Sequence, residues 1–221
     1  MVFVVIPAFN EAKNIGRVIS GLFEHGFTKI VVVDDGSSDT TAEVALGQGA
    51  IVLRHLINRG QGATLQTGND YALKKGAQVV VHFDADGQFN PLDIDGAVQL
   101  VETGAADIVL GSRFMDRRSK LPFTKQYVLF PLTRFLNRLF TGLNLTDGQN
   151  GFRVLSRQAL EKIVITHDGM AHNSEIIREV NRLALVYQEY PVEVTYHRYG
   201  QGLGGGIKIV GNILLRFLYS E

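Results

Sequence analysis

The residues best placed to do chemistry lie in one short run, His82-Phe83-Asp84-Ala85-Asp86-Gly87-Gln88. Two carboxylates one residue apart follow an apolar, β-branched stretch, Val79-Val80-Val81, which reads as a buried strand. On extended backbone, side chains at i and i+2 share a side, so Asp84 and Asp86 are expected to face one ligand together. Two hard oxygen donors at the carboxyl end of a buried strand suit Mg²⁺ or Mn²⁺, with substrate phosphates completing the shell. The same letters also fit a strand that simply ends in an Asp-Gly turn. His82, inside the strand, reads as a core histidine with a partner rather than as a ligand.

Two more polar clusters follow strands of the same kind. Asn10-Glu11 comes after the apolar run 2–6 and Pro7, and Asp34-Asp35 ends the run 29–34. Asp34 and Asp35 point to opposite sides, so one of them is expected to be structural.

The elements that must carry these clusters alternate. Asn10 is read as the N-cap of a helix whose inner face is Ile15, Val18, Ile19, Leu22 and Phe23, closed by Gly26. A second helix follows the 35–39 turn, a third strand covers 51–53, and Asn58-Arg59-Gly60-Gln61-Gly62 introduces a helix to about residue 75. Asn90-Pro91 is a cap followed by proline at the first helical position, with Ile94, Ala97, Val98 and Val101 facing inward. A strand over 108–110 follows. Such alternation predicts an α/β fold, a mostly parallel sheet with helices on both faces. Ligands in such sheets sit outside the carboxyl ends of the strands, where all three polar clusters fall.

The alternation stops after Arg113. A basic, aromatic stretch with Arg117, Arg118, Lys120 and Lys125 leads into a helix-like segment bearing Phe135, Leu136, Leu139 and Phe140, with Arg134 and Arg138 elsewhere on it. The polar turn 146–153 then precedes a short strand and helix, a helix from Ser174-Glu175 to about Ala184, and a strand-like run over 187–196. Glu175 reads as a cap-region acid, and Arg153 is read as a surface ion-pair partner or a functional cation. A glycine-rich turn over 200–206 leads to a final apolar segment, 207–221.

Bulk properties narrow the classes. The chain has 221 residues, 45% hydrophobic and 20% charged, with a formal net charge of zero and no cysteine. It is long enough for one sizeable core, has no general attraction to nucleic acid, and can form neither disulfides nor thiolate metal sites. No basic leader precedes the first strand, and no uninterrupted apolar run reaches the roughly 18 residues of a spanning helix. The cytoplasm is the default compartment. The first strand is followed by Pro7-Ala8-Phe9-Asn10-Glu11 rather than a G-x-G-x-x-G loop, and no Walker loop is present, which argues against a dehydrogenase.

Six motifs in order carry a family resemblance: PAFNE (7–11), VVDDGSSD (32–39), DADGQ (84–88), GSRF (111–114), D-x-x-x-G-F-R (147–153) and PVEVTYHRYG (191–200). Together they resemble the family-2, GT-A-type glycosyltransferases, and among them the polyprenyl-phosphate sugar synthases. The resemblance implies a single GT-A domain over 1–221. Its parts would be a nucleotide-sugar-binding half (1–113), an acceptor half (114–206) and a C-terminal amphipathic helix (207–221). It implies an inverting transfer of mannose or glucose from a GDP- or UDP-sugar to a polyprenyl or dolichyl phosphate.

Residue by residue, the resemblance has Pro7, Phe9, Glu11, Asp35, Asp84, Ala85 and Asp86 line the nucleotide-sugar pocket. Asp84, Asp86 and Gln88 would hold Mg²⁺ or Mn²⁺. Asp86, Arg113 and Arg198 would be catalytic, and Arg113, Arg134 and Arg138 would receive the acceptor phosphate. Peripheral contact with the cytoplasmic face of the membrane is expected, and the resemblance leaves room for a separate membrane subunit. Two departures stand out: Gln61 occupies a position where the family usually has lysine, and Asn150 replaces a small hydroxyl or thiol residue. Three other readings stay open. They are a family-2 enzyme with a saccharide or small-molecule acceptor and Asp147 as its base, a non-catalytic nucleotide-sugar-binding protein, and, more remotely, a nucleotidyltransferase.

Overall fold

The structure, a computed structural model, describes residues 1–116, 138 and 142–195. Thirteen elements follow one another: β1 (Val2–Ala8), α1 (Ile15–Glu24), β2 (Ile30–Asp34), α2 (Thr41–Gly47), β3 (Ile51–Arg54), α3 (Gln61–Lys74), β4 (Val79–His82), α4 (Asp93–Glu102), β5 (Ile108–Ser112), β6 (Arg153–Ser156), α5 (Arg157–Lys162), α6 (His172–Arg182) and β7 (Tyr187–Pro191). The strands form one seven-stranded sheet in the order β3-β2-β1-β4-β6-β5-β7. All pairings are parallel except those of β6, which runs antiparallel between β4 and β5. The expected mostly parallel sheet is observed, with one strand of the second half inserted at its centre.

Alternation along the strands builds two cores, because successive side chains point to opposite faces. Val4, Ile6, Val32, Val81, Val109 and Val154 meet α1 and α4 through Ile15, Ile19, Leu22, Ile94 and Ala97. Val5, Val33, Val80, Leu110 and Leu155 meet α3, α5 and α6 through Leu65, Leu160, Ile176 and Val180. Each fully buried side chain of this kind contributes about 1.5–3 kcal/mol. Helix α3 approaches β1 most closely at Gly68, where a Cβ would lie 2.3 Å from Val5 Cγ1. That contact fixes the height of the α3 N-terminus above the sheet edge.

Three local expectations are corrected. Asn10 does not cap α1: it sits at φ 56°, and the helix begins at Ile15 with Asn14 as its cap residue. The Asn10 carboxamide oxygen instead accepts from the Ser38 N–H at 2.9 Å, tying the β1 end to the β2 end. Helix α4 likewise starts at Asp93, after a turn in which Asn90 Oδ1 accepts from the Leu92 N–H. Finally, β4 ends at His82, so Asp84 and Asp86 are not side by side on extended backbone. Residues 85–86 form a turn, Gly87 adopts φ 75°, and the Gln88 N–H donates to Asp86 Oδ1 at 2.9 Å. The end of α1 behaves as read. Gly26 N–H bonds Phe23 O, and Phe27 N–H bonds Leu22 O, satisfying carbonyls of the last turn.

The turn after β4 stands on aromatic packing. Phe83, Phe89 and Phe152 meet edge to face with centroids 5.6, 5.8 and 6.4 Å apart. Phe83 and Phe89 bracket the two carboxylates in sequence, and both pack against Phe152, the residue before β6.

Candidate functional site

The carboxyl ends of β1, β2 and β4 and the start of α3 enclose a cavity of about 370 Å³. Its lining includes Pro7, Phe9 and Glu11 from the β1 end, Asp35 from the β2 end, and Asp84, Ala85 and Asp86 from the β4 turn. Those seven are the residues that the resemblance assigns to the nucleotide-sugar pocket. Ala8, Asn58, Gly60, Gln61 and Thr64 complete the wall and were not singled out for it. The NRGQG letters at 58–62 are the signal that could have found three of these five, Asn58, Gly60 and Gln61, since loops between strand ends and helix starts line such clefts.

The two acid pairs differ in what surrounds them. Asp34 is fully buried and faces away from the cavity, where Arg54 Nε lies 3.0 Å from Oδ2 and the Ser37 N–H donates to Oδ1. It is the structural member of its pair. Asp35 lines the cavity, but its oxygens accept from the Arg59 and Gly60 N–H groups at 2.9 and 2.6 Å and bond His55 Nδ1 at 2.7 Å. Asp35 therefore shapes the loop that covers it. Gly60 at φ 105° is what lets that loop turn into α3.

Asp84 has one neutral hydrogen-bond donor, Gln61 Nε2 at 3.1 Å. Burial, and next the charge of Asp86, raise its pKa to about 6, against the opposing pull of Arg153 and Arg113. Hard carboxylate oxygens held together at such a cost are of the kind that take a divalent cation. Among the described residues no group of three or more His, Asp or Glu side chains is gathered for a metal. Gln88 takes part in the turn through its backbone: its N–H bonds Asp86, and its carbonyl accepts from Thr195 N–H at 2.9 Å. It is not among the residues lining the cavity.

On the acceptor side the structure places Arg113 against Asp147. Nε and Nη2 donate to the two carboxylate oxygens at 2.6 and 2.8 Å, and the Arg113 N–H adds a third bond. The Asp147 side chain is only 2% exposed, and its N–H bonds Glu189, which also holds Thr146. Arg138 is described as helical and exposed. Arg134, Arg198 and the segments over 117–137 and 207–221 lie outside the described residues.

Arg153 is not a surface residue, which corrects one of its two readings. It is 1% exposed, opposite His82 in the β4–β6 register, and Nη2 donates to Asn173 Oδ1 at 2.6 Å. Burial lowers its pKa to about 10, while the charges of Asp84 and Asp147 pull it back up. Nearby imidazoles stay neutral: burial and then Arg153 hold His82 well below its ordinary value and bring His172 to about 4. His82 bonds Asn69 Oδ1 through Nε2 at 2.9 Å, the partnered core role expected of it. Glu175 takes the N–H groups of Thr166 and His167, again a structural role.

Comparison with known proteins follows from this geometry. A family model described as glycosyl transferase family 2 matches residues 3–164. An uncharacterized protein of Methanocaldococcus jannaschii is 37% identical, covering 100% of this chain and 92% of its own. UDP-N-acetylglucosamine–dolichyl-phosphate N-acetylglucosaminyltransferase of Methanococcus voltae is 30% identical over 99% of this chain and 95% of its own. Undecaprenyl-phosphate mannosyltransferase of Micrococcus luteus is 27% identical over 93% and 88%. Among solved structures, glucosyl-3-phosphoglycerate synthase of Mycobacterium tuberculosis, in complex with Mn²⁺, UDP-glucose and phosphoglyceric acid, superposes with a TM-score of 0.70. That match has 23% identity and covers 98% of this chain and 79% of the other, a likeness of fold.

Proposed function

The chain belongs to glycosyl transferase family 2 and has its GT-A fold, and we propose that it transfers a hexosyl unit from a nucleotide-diphosphate sugar to a polyprenyl phosphate. The observation that carries this reading is the convergence of three strand ends on one cavity, with Asp84 and Asp86 at its floor. Phe9, 46% exposed at the cavity, offers a face for a base, and Glu11 and Asp35 offer acceptors nearby. The Asp84–Asp86 pair fits a divalent cation. Asp84, whose pKa is raised by burial and by Asp86, would recover its charge when a cation shares the pair, and Gln88 follows in the same turn. When bound, Mg²⁺ or Mn²⁺ would neutralise charge on the diphosphate.

In the proposed reaction an acceptor phosphate oxygen bonds the sugar C1 as the bond from C1 to the diphosphate breaks, with inversion. The nucleoside diphosphate leaves with the bonding electrons. A phosphate monoester is already ionised near neutral pH, its second pKa being roughly 6, so no general base is needed. This matters for the choice of acceptor. A saccharide hydroxyl would need a base, and the candidate, Asp147, has both oxygens committed to Arg113 in a nearly closed environment. The phosphate reading also agrees with relatives named for dolichyl or undecaprenyl phosphate. Arg113 and Arg198 are the proposed cations for phosphate, joined by Arg134 or Arg138. No helix among the described residues is long and apolar enough to cross a membrane. The lipid acceptor is proposed to be met at the cytoplasmic face.

The donor sugar has two readings. Mannose or glucose is the first. N-acetylglucosamine is the second, favoured by the near full-length match to the Methanococcus voltae enzyme. Incubating the protein with Mn²⁺, a polyprenyl phosphate and radiolabelled GDP-mannose, UDP-glucose or UDP-N-acetylglucosamine separates them. Label should enter the organic phase with one donor. Transfer only to a water-soluble saccharide would overturn the lipid acceptor, and no turnover of any donor would favour a binding protein.

A further inference from the structure

Asp84 is gripped from three directions by residues that belong to different parts of the chain. Gln61, the first residue of α3, donates through Nε2 to Oδ1 at 3.1 Å. On the other side the backbone of Gly151 lies so close that a Cβ there would stand 2.8 Å from Oδ2 and 3.1 Å from Oδ1. From the β6 side, the buried Arg153 adds positive charge that acts on Asp84 without a direct ion pair. Phe83, the preceding residue, packs edge to face against both Phe89 and Phe152.

These contacts differ in kind from a neutralising pair. A primary amide orients a carboxylate without cancelling its charge, whereas a lysine at the same place would take the charge for itself. Gly151 has no left-handed φ, so the backbone does not demand glycine there; what demands it is the space that Asp84 occupies. Groups that orient a ligating carboxylate from behind set metal affinity and activity, typically by 10–100-fold.

We propose that Gln61 and Gly151 are positioning residues: together they hold the Asp84 carboxylate in one orientation toward the cavity, and that grip sets the affinity for a divalent cation. The proposal deepens the metal–diphosphate reading of the site and rests on it. Gln61 keeps Asp84 aimed while leaving its charge available, and Gly151 closes the alternative orientation from the acceptor side. The turn 147–151 thereby joins the Arg113–Asp147 pair to the donor carboxylate through one short piece of backbone.

The test measures Mn²⁺ binding to the purified, sugar-free protein from the loss of the free-ion electron paramagnetic resonance signal, with metal-free melting recorded alongside. Gln61→Met keeps the length and removes the donor, and is expected to weaken Mn²⁺ about 10-fold; Gly151→Ala is expected to weaken it by about 10–100-fold. Metal-free melting of Gln61→Met should match wild type, which separates positioning from a role in folding. Asp86→Ala sets the floor. If it abolishes binding while Gln61→Met and Gly151→Ala bind like wild type, the grip is overturned and the metal reading stands. If Asp86→Ala itself binds like wild type, both are overturned. Should Gly151→Ala fail to fold, Gln61→Met alone decides, and wild-type affinity there overturns the proposal.

Discussion

Two acid pairs lie at the carboxyl ends of β2 and β4, the strands that flank β1, and they have opposite fates. At the β2 end, Asp34 and Asp35 are surrounded by donors: Arg54 and the Ser37 N–H on one, His55 and two backbone N–H groups on the other. At the β4 end, Asp84 and Asp86 face one another's charge, and a single neutral amide reaches Asp84 from across the cavity. Surroundings, not residue type, separate the two pairs: donors tie Asp34 and Asp35 into a loop, whereas burial and the charge of Asp86 work against the ionised form of Asp84.

Four substitutions would break or sharpen that contrast. Asp86→Ala should lower turnover by about 10²-fold or more while leaving the melting temperature near wild type, read from steady-state kinetics beside calorimetry. Asp35→Ala should do the reverse. It strands the Arg59 and Gly60 N–H groups and His55, costing about 3 kcal/mol in denaturant unfolding. Some turnover should survive with a raised KM, and a dead but fully stable variant would erase the distinction.

Asp84→Asn tests the excess charge directly. Because the folded pKa is raised to about 6, the ionised form is costlier in the folded chain than in the unfolded one. That cost is small below about pH 4, builds as pH rises from about 4 to 6, and is constant above. Removing it should therefore stabilise the metal-free protein by about 2 kcal/mol near pH 8 and by nothing at pH 4. In exchange Mn²⁺ should no longer raise the melting temperature. The smallest effect is expected of Arg54→Ala. Its side chain is half exposed, so water partly replaces it beside Asp34, and a loss of about 1 kcal/mol should be seen with activity unchanged.

Much of the donor side was legible in the sequence because its signals are local. Continuous apolar runs located β1 to β5, helical periodicity with turn and cap letters located α1 to α4, and strand-end polar letters located the cavity. The acid pair was found for a partly wrong reason, since a turn and not extended backbone brings Asp84 and Asp86 together. What escaped depends on contacts between distant segments. Arg153 is an arginine between Phe152 and Val154, and nothing in those letters shows that a four-residue strand inserts between β4 and β5 and buries it. Gly151 stands in the D-x-x-x-G-F-R motif, but the letters do not say why glycine is needed there, because the need comes from a carboxylate in the turn after β4. Asn10 misled in the same way: a good capping residue was claimed by Ser38 across the sheet edge.

The insertion of β6 also carries a consequence for how the chain is made. During synthesis β1 to β5 emerge first, but β4 and β5 cannot complete their neighbouring ladders until Arg153–Ser156 arrives between them. Until then the nascent sheet exposes the Val79–His82 backbone edge, and the ring of Phe152 is missing from beneath the carboxylate turn. Unpaired strand edges of this kind recruit other chains. Ribosome-bound intermediates that stop short of β6 are thus the aggregation-prone species of this fold, and the second half of the molecule protects the first as well as serving its chemistry.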